Sequence, residues 1–254
     1  MLHFPFSFLS VFLFLFAIIV GRYFLIAGIF QIWFYGFRKT KWDAFRLSKH
    51  AVDKVQFFKE VKWSLITSVI FALVGTLTFY LWQNGYTKLY TDFQQYTLWF
   101  LPISLMIAMI FHETYYYWLH RWMHRPEVFK ILHKVHHESK TTSPWTAFSF
   151  HPLEGFLQAI ILPVTILVLP MHIYILLFQL IIMSISSVIN HLEIEIYPTG
   201  FHKNSIGKWI IGATHHSLHH KQFKYNYGLY FTFWDKWKKT ESPKYIDKLE
   251  KKDL

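Results

Sequence analysis

Histidine is the residue type whose number and spacing carry chemistry in this chain. There are 16 histidines in 254 residues, and most stand in four tight groups. The first is His120-Arg-Trp-Met-His124 and the second is His133-Lys-Val-His136-His137. The third is His191, preceded by Asn190, and the fourth is His215-His216-Ser-Leu-His219-His220. On a helix, positions i and i+4 stack on one face with side chains about 5–6 Å apart. Both rings of the first group can therefore reach one metal, or one each of an adjacent pair. The i, i+3, i+4 pattern of the second group offers three rings in the same way, and the last five residues of the fourth repeat it. Nine candidate ligands result: His120, His124, His133, His136, His137, His191, His216, His219 and His220. A single four-coordinate site would leave about half of them unused, so the count favours two metals. Without metal, such imidazoles would repel one another on protonation and need costly partners. The plain alternatives are a pH-sensitive patch or a surface metal store. Imidazole suits zinc, copper, iron and nickel alike, so spacing alone does not choose the element.

Other groups are placed to support such a site rather than build it. His112 lies two helical turns before His120 and is a ligand, a supporting group or a partnered histidine within a span. Glu113, Asn190 and Glu154 could each orient an imidazole through its second nitrogen, as metal sites commonly require. Glu138 could do so too, although a solvated carboxylate is its default. His151, ahead of Pro152, reads as structural or supporting, and His215 as a neighbour of the last group. His3, His50 and His172 read as loop or interface residues, His202 is unassigned, and Asn226-Tyr-Gly228 reads as a turn. The chain has no cysteine, which excludes disulfides, iron–sulfur clusters and thiolate metal sites.

The elements that must position these groups are set by hydrophobicity. Hydrophobic residues make up 53% of the chain, aromatic residues 21% and charged residues only 16%, against about 25% charged in an average soluble domain. Mean hydropathy is +0.24. The apolar residues collect in blocks, which indicates an all-α, multi-pass membrane protein. Phe4–Tyr35 is too long and lacks the basic start of a signal peptide, so it reads as a retained transmembrane helix. A lysine-rich loop over 36–62 follows, then spans at about Trp63–Trp82 and Leu98–Leu119. Phe156–Ile189 is uncharged but broken at Pro170-Met171-His172. It forms two short crossing helices or a hairpin that enters and returns. The total is four to five membrane helices or half-helices. Counting crossings puts the 36–62 loop, residues 120–151 and the C-terminal region on one side. The positive charge makes that side cytoplasmic. The histidines thus form a helical cap on the cytoplasmic face. The net charge of +11 and pI of about 9.6 are explained by this flanking and by anionic lipid. No nucleic-acid-binding motif is present.

The stretch FHETYYYWLHRWMHRPEVFKILHKVHHESKTTSPWTAFSFHPLEGF (111–156) resembles the core of the sterol desaturase and fatty acid hydroxylase superfamily. The stretch THHSLHHKQFKYNYGLYFTFWDKW (214–237) is most similar to the sterol C-5 desaturase branch, in its Tyr-Asn-Tyr-Gly run and its Trp234-Asp235 pair. The resemblance covers about residues 100–240. It divides the chain into N-terminal membrane helices and a basic loop (1–97), a catalytic region (98–240) and a basic tail (241–254). It implies two non-haem irons held by the nine histidines, with dioxygen as co-substrate and a lipid as substrate. Hydroxylation and desaturation both remain open, as do sterol, fatty acyl and other lipids.

Electrons must come from an external donor, a b-type cytochrome or a ferredoxin with its reductase. The chain has no dinucleotide fingerprint, no cysteine and no His-Pro-Gly-Gly haem motif. A bacterial cytoplasmic membrane is the favoured location for so compact a chain. The endoplasmic reticulum is the alternative, with Lys251-Lys252-Asp-Leu in the form of a dilysine retrieval signal. Two other classes stay open: a zinc-dependent membrane hydrolase using Glu113 or Glu138 as base, and a metal-binding membrane protein without catalysis.

Overall fold

In water-poor surroundings every backbone polar group must be satisfied within its own segment, so long apolar runs fold as helices. The structure, a computed structural model, describes residues 6–37, 39–50 and 52–250. The expected dilysine motif and His3 lie outside the described residues. Helix α1 spans Phe8–Gln31 and is capped by Ser7, whose Oγ accepts from the Ser10 amide at 3.2 Å. It continues through a wider turn, Ile32–Phe37, and the short helix α2, Lys39–Asp43, follows. Helix α3, Lys54–Gln83, is capped by Asp53, whose Oδ1 accepts from the Gln56 amide at 2.7 Å. Beyond it come α4 (Phe100–Met123), α5 (Pro126–Ile131) and α6 (Lys134–His137). Then follow α7 (Pro152–Ala159), α8 (Ile161–Val168) and α9 (Ile173–Asn190). The chain ends in α10 (Ala213–Gln222), α11 (Phe233–Trp237) and α12 (Tyr245–Glu250).

Three of these helices are long and apolar enough to cross a membrane: Phe8–Phe37, Lys54–Gln83 and Ile173–Asn190. The chain is an integral membrane protein. At 1.5 Å per residue, 18 residues of α9 reach about 27 Å, close to the thickness of a hydrocarbon core. The second half of the expected 156–189 hairpin is therefore a full-length helix. Its first half is shorter, Pro152–Val168, with a break at Ile160 between α7 and α8. The expected span at Leu98–Leu119 is α4. It has the length, but His112, Glu113, Thr114 and three tyrosines dilute its second half, and it is not among the three apolar spans. One face of that half is buried against protein, with His112, Glu113, Tyr116 and Tyr117 all buried, while Phe111, Trp118 and Trp122 on the other side are exposed.

A small departure from the all-helical expectation occurs where α8 turns into α9. Leu89–Tyr90 (β1) pairs in parallel with Met171–His172 (β2). His172 is buried in this corner. Its Nε2 lies 3.1 Å from the Thr91 carbonyl and its ring stacks on Phe93 with centroids 4.0 Å apart.

At the opposite end of the helices the lysine-rich loop packs directly onto the cap. Arg46 bridges to Ile194, and the Leu47 amide donates to the Glu193 carbonyl at 2.9 Å. Helix α7 lies so close to α3 that a Cβ at Gly155 would sit 2.9 Å from Thr67 Cγ2. The turn Pro144–Phe148 packs against α3, α9 and α1. Its core contacts are Tyr23 of α1, whose ring stacks on Phe148, and Val188 of α9.

One buried carboxylate pins this turn. Glu60 of α3, 1% exposed, accepts from Ser139, Ser143 and Thr146 hydroxyls at 2.7, 2.7 and 2.8 Å and from the Gln56 amide at 2.7 Å. It joins a membrane helix to the segment that follows the second histidine group. Glu60→Leu strands three buried hydroxyls, each costing about 1–3 kcal/mol. The expected result is a thermal midpoint in mild detergent lowered by roughly 5–10 °C, with Glu60→Gln retaining about half of the loss. Unchanged melting of Glu60→Leu would show that the anchor is dispensable.

Candidate metal centre

A helix ends where its next residue cannot follow it. Pro126 disfavours helical geometry at Arg125, which is extended at φ −67° and ψ 136°. Helix α4 therefore stops with His120 and His124 stacked on its last turn. Proline is well placed at the first position of α5, and the chain doubles back to present His133, His136 and His137 on α6 and its N-terminal boundary. His191 caps the C-terminus of α9, and α10 supplies His216, His219 and His220.

The nine histidines fall into two sets. His120, His124, His133, His137 and His219 form one, and His136, His191, His216 and His220 the other. Within each set the candidate ligand atoms all lie within 4.8 Å of one another. The i, i+4 pairs 120/124, 133/137 and 216/220 each stay together. The i+3 members, His136 and His219, cross to the opposite set. This follows from the helix, where i+3 and i+4 point about 100° apart. The sets abut, with the His137 and His220 ring centroids 4.5 Å apart.

Five of the nine second ring nitrogens are tied down from outside, while those of His137, His216 and His220 are buried without a hydrogen-bond partner. The Nδ1 atoms of His120, His136, His191 and His219 donate to the carbonyls of Tyr227 (2.9 Å), Ser149 (3.3 Å), Ser187 (2.7 Å) and Tyr225 (2.7 Å). His133 Nδ1 lies 2.7 Å from Glu154 Oε1. A carbonyl only accepts, so these rings carry their proton on Nδ1 and leave a lone pair on Nε2. The Nε2 atoms face one another. They are 3.0 Å apart for His120–His133, 3.1 Å for His124–His219 and 3.1 Å for His137–His219. In the other set the separations are 3.2 Å for His136–His191, 3.0 Å for His191–His216 and 3.2 Å for His216–His220. Burial, and then the neighbouring imidazoles, push His133, His137, His216 and His220 well below the usual imidazole range. They are neutral rings, the form that binds metal. In the His120–His133 and His136–His191 pairs, where both protons are held on Nδ1, two neutral lone pairs face each other and repel unless a cation sits between them. Imidazole–metal bonds of about 2.1 Å put adjacent nitrogens of one shell roughly 3.0–3.4 Å apart. The donor set fits two cations.

The supporting residues are arranged differently from one another. Glu154 faces His133. Glu113 touches no imidazole; its carboxylate accepts from the amides of Leu229 (3.1 Å), Tyr230 (2.7 Å) and Phe231 (3.3 Å). Asn190 likewise turns away, donating to the Leu229 carbonyl at 2.9 Å. His112 Nδ1 lies 3.0 Å from the Tyr230 hydroxyl. His151 caps α7, accepting from the Leu153 amide at 3.3 Å. His215 is buried 3.6 Å from Asp235, outside both sets. Glu138 pairs with Lys59 at the surface.

Asp235 has a positional role that its spacing did not disclose. It accepts from the Tyr227 and Gly228 amides at 3.0 and 2.9 Å and from Thr240 Oγ1 at 2.7 Å. Burial raises its carboxyl to about 6, against the pull of those donors. Residues 227–231 thus hang between two buried carboxylates, Asp235 and Glu113, and the Tyr225 and Tyr227 carbonyls orient two imidazoles. The approach is close: a Cβ at Gly228 would meet the Phe231 carbonyl oxygen at 2.6 Å and Ile211 Cδ1 at 2.7 Å. Glu60 and Asp235 had one faint signal each, a lone acid at the start of an apolar helix and an acid in an aromatic run.

The chain is 35% identical over 189 residues to human lathosterol oxidase, covering 72% of this chain and 60% of that protein. It is 34% identical over 183 residues to a Delta(7)-sterol 5(6)-desaturase of Gibberella zeae, covering 72% and 55%. The corresponding figures for the Saccharomyces cerevisiae Delta(7)-sterol 5(6)-desaturase are 31% over 187 residues, 72% and 48%. The chain thus spans about half to 60% of the length of these curated relatives. No solved structure matches it. The fatty acid hydroxylase profile matches residues 105–240, more than half of the chain and a stretch that encloses all nine facing histidines. The chain belongs to the fatty acid hydroxylase family, within the sterol desaturase and fatty acid hydroxylase superfamily.

Proposed function

We propose that the protein is a membrane-bound oxidoreductase whose nine histidines hold two non-haem irons and which uses dioxygen and two electrons to desaturate or hydroxylate a lipid. The observation that carries this reading is the pair of abutting, inward-facing imidazole sets described above. The relatives' names, a sterol oxidase and sterol desaturases, support a lipid substrate, with sterol as the first candidate of this proposal. For desaturation the balance is R–CH₂–CH₂–R′ + O₂ + 2 e⁻ + 2 H⁺ → R–CH=CH–R′ + 2 H₂O. For hydroxylation one oxygen atom enters the C–H bond and the other leaves as water.

When bound, a pair of irons supplies the reductive activation of dioxygen that attack on an unactivated C–H bond requires. The chain's own residues hold and orient. His120, His124, His133, His137 and His219 would hold one ion; His136, His191, His216 and His220 the other. Glu154 and the carbonyls of Tyr225, Tyr227, Ser149 and Ser187 fix the ring orientations. Burial of eight of the nine rings excludes water from the reacting region.

The two carboxylates named as bases for the hydrolase alternative are both engaged away from the imidazoles. Glu113 is committed to three backbone amides and Glu138 to Lys59 at the surface. The cytoplasmic placement of the site is supported by the contact between the cap and the 36–62 loop, whose lysines mark that face. The preference for a bacterial membrane gains nothing from the relatives, which are human and fungal. The external electron donor remains part of the proposal.

Protein purified in mild detergent after expression with ample iron is expected to contain two irons per chain and to consume oxygen on chemical reduction. His136→Ala and His219→Ala are each expected to lose most of that iron. Stoichiometric zinc with no oxygen uptake would overturn the assignment. Glu154→Gln, which keeps shape but removes the charge facing His133, is expected to weaken iron retention about 10–100-fold in a chelator competition while melting like the parent. An unaltered competition curve would assign Glu154 a packing role only.

A further inference from the structure

Eight of the nine facing histidines are buried, and His124 alone is part-exposed. It opens into a surface cavity of about 630 Å³ whose walls include Trp118, Trp122, Arg121, Arg125 and Lys238. No acidic residue lines this cavity. The two tryptophans are 43% and 40% exposed. Arg121 and Lys238 lie over the Trp118 ring at 5.7 and 5.4 Å, and Lys238 also lies over Trp234 at 5.8 Å. Cations held over aromatic faces keep their charge at a defined place while leaving their outer side free. The floor of the cavity is continuous with the buried centre, because His124 Nε2 is 3.1 Å from His219 Nε2.

We infer that this basic, tryptophan-walled mouth is the docking surface for an acidic one-electron carrier protein, which delivers its electrons through His124. The inference rests on the oxidoreductase reading and adds the place and the chemistry of the partner. Each visit oxidises one reduced carrier by one electron, and two visits supply the pair in the balance given above. Three cations in a mouth that no acid lines steer a negatively charged protein and set its register. The exposed tryptophans give the anchoring area that a transient electron-transfer interface needs. A concave mouth leading to a part-exposed ring is also more than a lipid headgroup requires, since an interfacial tryptophan and lysine belt needs no route inward.

The test uses iron-loaded protein in nanodiscs of neutral lipid and, as probe, the soluble, acidic haem domain of a b-type cytochrome. Binding is measured at low and high salt for the parent, for Arg125→Glu/Lys238→Glu and for a control with the same charge change elsewhere, Lys208→Glu/Lys244→Glu. Oxygen uptake driven by dithionite, which needs no carrier, is measured in parallel. The expected result is carrier affinity at least tenfold weaker in the mouth variant, a flatter salt dependence, near-parental affinity in the control and parental dithionite-driven uptake in both. Equal weakening in the two variants, or none in either, with uptake intact, overturns the docking surface and leaves the oxidoreductase reading standing. A mouth variant that binds the carrier normally but loses a preference for anionic over neutral lipid makes the mouth a headgroup site and also overturns it. Absence of dithionite-driven uptake in the iron-loaded parent removes the oxidoreductase reading, and the docking surface with it.

Discussion

Mutual repulsion between neutral imidazole lone pairs is the constraint on which this structure depends. Six Nε2–Nε2 separations lie between 3.0 and 3.2 Å, and in two of them, His120–His133 and His136–His191, both lone pairs face inward. Protonation would relieve the repulsion in solution, but burial of adjacent rings opposes it. The fold holds five of the rings in place by anchoring their far nitrogens to four carbonyls and one carboxyl group. It thereby stores an arrangement that only cations satisfy, and apo protein is expected to be the less ordered form.

Buried carboxylates provide the framing. Glu60 fastens the turn after the second histidine group to α3. Glu113 and Asp235 suspend residues 227–231 from two sides, and Glu154 faces His133 directly. Each is inaccessible; Glu60, Glu113 and Glu154 reach segments distant in sequence, while Asp235 gathers donors within eight residues of itself. In a chain whose helices are apolar on most faces, these few acids do what an extended hydrophobic core does in a soluble domain. They set which non-helical segment lies against which helix.

Much of this was legible from residue order alone. The four histidine groups identify themselves by spacing and two of the three apolar helices by length, whereas the third, α9, reads from sequence as half of a hairpin. What spacing could not disclose was the crossing-over of His136 and His219, because helical periodicity relates residues within a helix and says nothing of which neighbour faces them. Glu113 and Asn190 were expected beside imidazoles and instead hold the 229–231 backbone. A carboxylate next to histidines in sequence is free to satisfy amides from the far end of the chain. The α4 segment reads as a span by length, yet its polar second half is tolerated because protein covers one face of it.

The crossing of His136 and His219 has a mechanical consequence. Neither coordination set belongs to one helix, and α6 and α10 each contribute rings to both. A small rotation of either helix would carry nitrogens toward the centre of one set as it carried others away from the centre of its neighbour, so the two sets are geared together. With two ions held as proposed, strain imposed on one would be felt at the other. The pair can therefore respond as a unit while the membrane helices beneath stay still.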